Sequence, residues 1–200
     1  TKRDQARIVF DCATQIVNQS KELQQYVKSQ RANLSVLRTA SKFEPLSSEG
    51  DTLDGLSPHG NIVDELHSHK DRKVWDTLVT AQGARRQPMN ILITTAGIYD
   101  QEQIGFQLHD HAVAILDGLV EDDSWCVWIS AADQDDDPYA EKTWEKANPN
   151  MGVSIYPSFI QQRASEALSQ PSSMNAFQRL HLNQWTQQTE RWLSMDDWDK

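Results

Sequence analysis

Two hundred residues suit one domain with a small appendage and are enough to bury a substantial core; an apolar share of 38% with seven Trp and five Phe argues for order. The formal charge of −10 is concentrated in one half: residues 1–100 hold thirteen Lys/Arg against twelve Asp/Glu, and residues 101–200 hold six against seventeen. Duplex DNA is gripped by neutralising its phosphates, so the second half is not expected to be the main DNA-holding surface, and with no leader pattern and no run near the ~18 apolar residues that span a bilayer a cytosolic protein is expected.

Thr1 and Asp4 make a near capping box, and Ala6, Val9, Phe10, Ala13, Ile16 and Val17 follow at helical spacing, which predicts a first helix. A short helix over 21–28 and a strand over 34–40 come next, then a Ser/Gly/Asp-rich loop over 47–58 in which Asp51 and Asp54 suit turns. Cys12 and Cys126 are too few and too far apart for a disulfide framework or a metal motif and read as buried thiols in a reducing compartment.

The segment Ile62-Val63-Asp64-Glu65 ends a short apolar run in two acids. At the carboxyl edge of a parallel sheet, where ligands gather, an Asp holds Mg²⁺ and the adjacent Glu orients or deprotonates the water that attacks a γ-phosphate. This is a Walker B pattern and calls for ATP. The same pair also suits a strand-to-helix junction at which either carboxylate caps the next helix.

A helix over 70–81 places Val74, Trp75 and Leu78 on one face and stops near Gly83. Arg85 and Arg86 follow in a loop, read either as solvated charges or as an arginine finger touching the γ-phosphate. A strand over 90–95 ends in Thr94-Thr95-Ala96-Gly97, whose hydroxyls suit sensing a terminal phosphate and whose Gly lets the backbone turn sharply. A helix over 101–117, a strand over 124–130, a helix begun by Asp137-Pro138 with Trp144 facing inward, and helices over 157–170 and 174–188 complete the chain. His67-x-His69 and His109-x-His111 lack zinc spacing; Asp133, Asp135, Asp136 and Asp137 fail the EF-hand pattern at Tyr139 and Trp144 and read as a solvated acidic turn.

The alternation of helices and strands implies an α/β fold, a parallel sheet with flanking helices, followed from about residue 135 by a small helical lid or linker. The ordered pieces Thr1-Lys2-Arg3-Asp4-Gln5-Ala6, Asp64-Glu65-Leu66-His67, Gly83-Ala84-Arg85-Arg86-Gln87-Pro88, Thr94-Thr95-Ala96-Gly97, Trp144-Glu145-Lys146-Ala147-Asn148-Pro149-Asn150 and Leu182-Asn183-Gln184-Trp185 together resemble the large terminase subunit of tailed bacteriophages, the ATPase that drives DNA into procapsids. The resemblance implies an incomplete P-loop ATPase core over 1–134 and a helical subdomain over 135–200 leading to a nuclease domain beyond the chain. It implies Gln5 on the nucleotide side, Asp64 on Mg²⁺ and ATP, Glu65 as water activator, Thr94 and Thr95 as coupling residues, and Arg85 or Arg86 as finger. It also implies double-stranded DNA, a small terminase subunit, a portal protein and a homo-oligomeric ring as partners, in the host cytoplasm. No Gly-x-x-x-x-Gly-Lys-Ser/Thr cradle occurs in the chain, so it reads as an internal fragment, inactive by itself. Two rivals stand beside this reading, a fragment of another P-loop motor such as a helicase and a non-catalytic interaction module.

Overall fold

The computed structural model describes residues 3–46, 53, 55–69 and 71–187. Thr1, Asp51, Asp54 and most of the 47–58 loop lie outside the described residues. The chain separates into two compact units, the first drawn from Thr1–Asp64 and Asp71–Ile93, the second from Glu65–Lys70 and Thr94–Lys200.

In the first unit, helix α1 (Arg3–Gln19) buries Phe10 and Val17 against Leu34, with Ala13 and Val27 packed alongside. Phe10 also meets the Phe43 ring at 6.2 Å. Ile16, expected on the same apolar face, is 57% exposed. Helix α2 (Leu23–Tyr26) leads into an antiparallel meander of β1 (Lys28–Ser29), β2 (Leu34–Val36) and β3 (Ser41–Phe43). The strand expected over 34–40 is therefore only its first half. A 3-10 turn over Leu37–Thr39 and a left-handed Ala40 (φ 52°) reverse the chain, and Leu34 pairs with Phe43.

The parallel sheet consists of β4 (Gly60–Asp64) and β5 (Met89–Ile93), in register from Gly60 with Met89 to Asp64 with Ile93. Between them in sequence runs α3 (Lys73–Thr80), with Leu78 buried and Val74 and Trp75 half-buried. One sheet face buries Asn61 and Val63. There Asn61 Nδ2 donates to Asn90 Oδ1 at 2.8 Å and Asn90 Nδ2 donates to Gln82 Oε1 at 3.0 Å, so the strands are locked by paired amides. Side chains alternate across a strand, and on the other face Ile62, Met89, Ile91 and Ile93 are 40–59% exposed. The expected α/β class with a parallel sheet and flanking helices is present, with two strands in the parallel ladder.

The second unit is helical: α4 (Ile104–Leu116), α5 (Glu141–Ala147), α6 (Pro157–Ser169) and α7 (Pro171–His181). Its core joins Ala132, Trp144, Ile160, Ala164, Ala167, Phe177 and Leu182. Four sequence expectations change here. The strand over 124–130 does not form: Trp125, Val127 and Ile129 turn inward and Cys126 and Trp128 outward, as in a strand, yet no ladder partner is present among the described residues. The Asp137-Pro138 start is an Asx turn rather than a helix cap. Asp137 Oδ1 accepts from Tyr139 N–H at 2.9 Å, Trp144 Nε1 donates to the Pro138 carbonyl at 2.8 Å, and the helix begins at Glu141. The last helix runs Pro171–His181 instead of 174–188, because Pro171 serves as its first turn and Asn183 takes a left-handed conformation (φ 54°) that ends it. Cys12 and Cys126 are exposed rather than buried, since each falls on the outward side of its element.

The acidic turn carries a counter-charge. Lys146 Nζ lies 2.5 Å from Asp133 Oδ2 and 2.6 Å from Asp136 Oδ2. The hydrogen bond from Lys146, then that from the Asp133 backbone, holds the Asp136 carboxyl below its ordinary range.

Candidate functional site

Strands β4 and β5 run directly into the residues that carry chemistry, Glu65 and Thr94. The last ladder pair is Asp64 with Ile93; Thr94 and Thr95, expected inside the strand, lie just past it. Release from the ladder is what lets their side chains turn toward the segment that follows β4.

Glu65 sits in the left-handed region (φ 54°, ψ 45°) and enters a 3-10 turn over Leu66–Ser68. A non-Gly residue there carries roughly 1–2 kcal/mol of strain. The turn is held by Leu66, 2% exposed, and by its packing against α4. Gly105 permits this approach, because a Cβ on it would stand 2.9 Å from His67 Cα and 3.1 Å from the Leu66 carbonyl oxygen.

His67 is the centre of the arrangement. Its backbone N–H donates to Thr94 Oγ1 at 3.0 Å, and its Nδ1 lies 2.9 Å from the same oxygen. The same Nδ1 is 3.4 Å from Glu65 Oε2 and 3.5 Å from Thr95 Oγ1. Thr94 Oγ1 donates its one proton to the Thr95 carbonyl at 2.9 Å. Its lone pairs are thereby left to accept from His67, from the backbone N–H and, in the tautomer protonated there, from Nδ1. The structure thus brings together Glu65, Thr94 and Thr95, three of the residues expected at the site, and adds His67, which the sequence marked only as lacking zinc spacing.

The turn after Thr95 is tied to the helical part of the same unit. Ala96 N–H donates to Asn183 Oδ1 at 2.6 Å, and Asn183 Nδ2 donates to the Ser130 carbonyl at 2.8 Å. Gln184 Nε2 bonds the Asp133 carbonyl at 2.7 Å, and Tyr99 N–H donates to the Thr186 carbonyl at 2.6 Å. Trp185 lies so close to Gly97 that a Cβ there would be 2.9 Å from the indole and 3.0 Å from His67 Cβ. The Trp185 ring also meets Phe106 at 5.3 Å and His109 at 5.2 Å. Burial pushes the His109 pKa down, against a smaller upward pull from Asp110. The Leu182-Asn183-Gln184-Trp185 element is thus the clamp on the Thr-Thr turn. The sequence signal for it was its composition, an Asn suited to a left-handed turn beside a Trp, with no local hint of its partner.

The remaining expected residues belong to the first unit. Asp64 is half-buried at the end of β4. Arg85 is exposed and its guanidinium holds the Ser57 carbonyl, through Nε at 3.0 Å and through a second nitrogen. Arg86 is exposed. Gln5 lies in α1, and its side chain is outside the description. A cleft of about 1070 Å³ in the second unit is lined by Tyr99, Phe106, His109, Tyr139 and Trp185 among others, and by none of Glu65, Thr94 or Thr95. Among the described residues no three His, Cys, Asp or Glu side chains converge as a metal cage.

The Glu65 carboxylate and the Thr94 and Thr95 hydroxyls thus meet at one imidazole nitrogen, which can pass hydrogen bonds between carboxylate and hydroxyl. Comparison with known proteins narrows the class. The profile described as "Terminase large subunit, ATPase domain" matches residues 1–110, and that described as "Terminase large subunit, endonuclease domain" matches residues 119–200. The chain belongs to the terminase large subunit family. It is 34% identical over 174 residues to Protein YmfN of Escherichia coli (strain K12), covering 84% of this chain and 38% of that protein. It is 30% identical over 202 residues to the terminase large subunit of Enterobacteria phage HK97, covering 98% of this chain and 39% of that protein. The crystal structure of the HK97 bacteriophage large terminase superposes with a TM-score of 0.79 at 31% identity, over 92% of this chain and 38% of that one. The chain therefore spans under two-fifths of the length of the relatives it matches.

Proposed function

We propose that these residues form the hydrolysis and coupling segment of a phage DNA-packaging motor, in which turnover of Mg-ATP drives double-stranded DNA into a procapsid. The observation that carries this reading is the single imidazole nitrogen 3.4 Å from the Glu65 carboxylate and 2.9 Å from the Thr94 hydroxyl, a direct link between a water-activating acid and a phosphate-sensing turn. Asp64 would hold Mg²⁺, which when bound neutralises charge on the phosphates. Glu65 orients the attacking water and takes its proton. Thr94 and Thr95 register whether a γ-phosphate is present and pass that state through the Asn183 and Trp185 clamp. Gln5 is assigned to the nucleotide side, and Arg85 or Arg86 to a finger, Arg85 exchanging the Ser57 carbonyl for a phosphate oxygen.

Residues 1–134 are assigned to the ATPase core and 135–200 to the helical subdomain. The ATPase profile ends at residue 110 and the endonuclease profile begins at 119, so the helical subdomain falls within the endonuclease match. In the intact large subunit we assign nuclease activity, a small terminase subunit and portal as partners, a homo-oligomeric ring and the host cytoplasm; no described helix is long and apolar enough to cross a membrane. The 200 residues by themselves contain no phosphate-cradling Gly-Lys loop and are assigned no turnover of their own.

The test is Glu65→Gln in the full-length large subunit. ATP should still bind while turnover falls by roughly 10² or more, the size of a general-base loss; full turnover would remove the reading. Thr95→Ala should keep part of the hydrolysis while DNA moved per ATP declines.

A further inference from the structure

We propose that His67 is a positioning residue whose one Nδ1–H is contested by Glu65 and Thr94, so that water activation and the coupling turn cannot both hold it at once. This rests on the function proposed above and names the device by which that site is regulated. The Thr94 hydroxyl spends its proton on the Thr95 carbonyl and presents only lone pairs to His67; an ionised Glu65 also only accepts. Thr94 and Glu65 thus compete for one donor at 2.9 Å and 3.4 Å, with the Thr95 hydroxyl beyond them at 3.5 Å. In the present geometry Thr94 has the shorter contact, and the Glu65 carboxylate, its side chain 41% exposed, is the looser partner. If a phosphate draws Thr94 and Thr95 away, the donor passes to Glu65 and fixes the carboxylate that aims the water. If Glu65 turns to the water, the donor returns to Thr94 and tightens the turn.

His67 itself does not move to make this exchange. Its Cα is confined against Gly105 and its Cβ against Gly97, both at distances where an added Cβ would collide, whichever acceptor holds the ring. A ring with a pinned backbone and a single donor pointing between two acceptors is a selector, and it acts through the residues it touches.

The experiment uses the full-length large subunit and compares two amides. Asn places its Nδ2 where histidine has Nδ1, whereas Gln places nitrogen where histidine has Nε2. His67→Ala should lower kcat for ATP hydrolysis by about 10- to 100-fold, the scale of a mispositioned catalytic group, with KM for ATP unchanged within about twofold. His67→Asn should recover at least about half of the wild-type kcat and His67→Gln should behave as His67→Ala. In a Thr94→Val background the ring donor is left to Glu65, so His67→Ala should cost more than it does beside Thr94. Equal activity of His67→Asn and His67→Gln, or losses at positions 67 and 94 that simply multiply, would overturn the proposal. Should His67→Ala fail to fold by circular dichroism, the Asn/Gln comparison and Thr94→Val still decide. Glu65→Gln run in parallel separates the two levels: its loss of turnover with an indifferent His67 sinks the selector alone, and its full turnover sinks the function.

Discussion

The parallel ladder and the helical core are built to different degrees of closure. In the ladder, Asn61 and Val63 are buried on one face while Ile62, Met89, Ile91 and Ile93 stay 40–59% exposed on the other. In the helical core, Leu182, Ile160, Ala167, Phe177 and Ala164 are all 0–3% exposed. The residues that would perform chemistry follow the ladder in sequence but pack with the second unit, through Leu66, Asn183 and Trp185. Strand ends supply where the chain arrives; helices and their clamp supply the rigidity that a precise site needs.

That contrast predicts unequal costs. Leu182→Ala or Ile160→Ala should lower stability by about 2–5 kcal/mol, the cost of a cavity in a closed core. Ile62→Ala, at a half-open site, should cost under about 1 kcal/mol. Urea unfolding of the three variants measures this, and equal losses would break the comparison. Next in size, Asn183→Ala removes both hydrogen bonds of the clamp and the side chain most tolerant of its left-handed backbone. It should cost about 2–3 kcal/mol, and hydrogen exchange at the Ala96 amide should accelerate with it. Smaller again, Glu65→Gly relieves a left-handed backbone at the price of catalysis and should raise stability by up to about 1 kcal/mol; a lower denaturation midpoint would show that the carboxylate's contacts outweigh the strain.

The smallest effect is one of pH. His109 has its pKa lowered by burial, so the folded state favours the neutral ring. The unfolded chain takes up the proton first, near the ordinary histidine value of 6.5, so the stabilisation is complete above that pH and is lost as pH falls through the lowered folded value. Melting temperature followed from pH 7.5 downward should decline in the wild type and decline less in His109→Gln.

The legible part of the site was chemical and local. Asp64-Glu65 and Thr94-Thr95 declare themselves because carboxylates and hydroxyls terminate short apolar runs. The helical spacing of Phe10 and Val17 and the inward Trp144 were readable for the same reason. Pairings between distant residues were not: the His67 to Thr94 contact spans 27 positions and the Asn183 to Ala96 bond spans 87, with no local pattern to announce either. Residues 124–130 show the converse. Their alternation is present in the burial of Trp125, Val127 and Ile129, but a strand also needs a neighbouring backbone, and periodicity says nothing about that. The division of the chain at Glu65 and Thr94 was equally hidden, because it cuts through two segments that read as continuous.

The indole of Trp185 lies against Gly97, two positions beyond Thr95, with an imidazole and a phenyl ring as its other neighbours. Its emission is therefore an optical gauge of the Thr-Thr turn. With the remaining tryptophans replaced by phenylalanine, a shift of the Thr94-Thr95 segment would alter quenching of this one fluorophore, and movement of the turn would be visible as light.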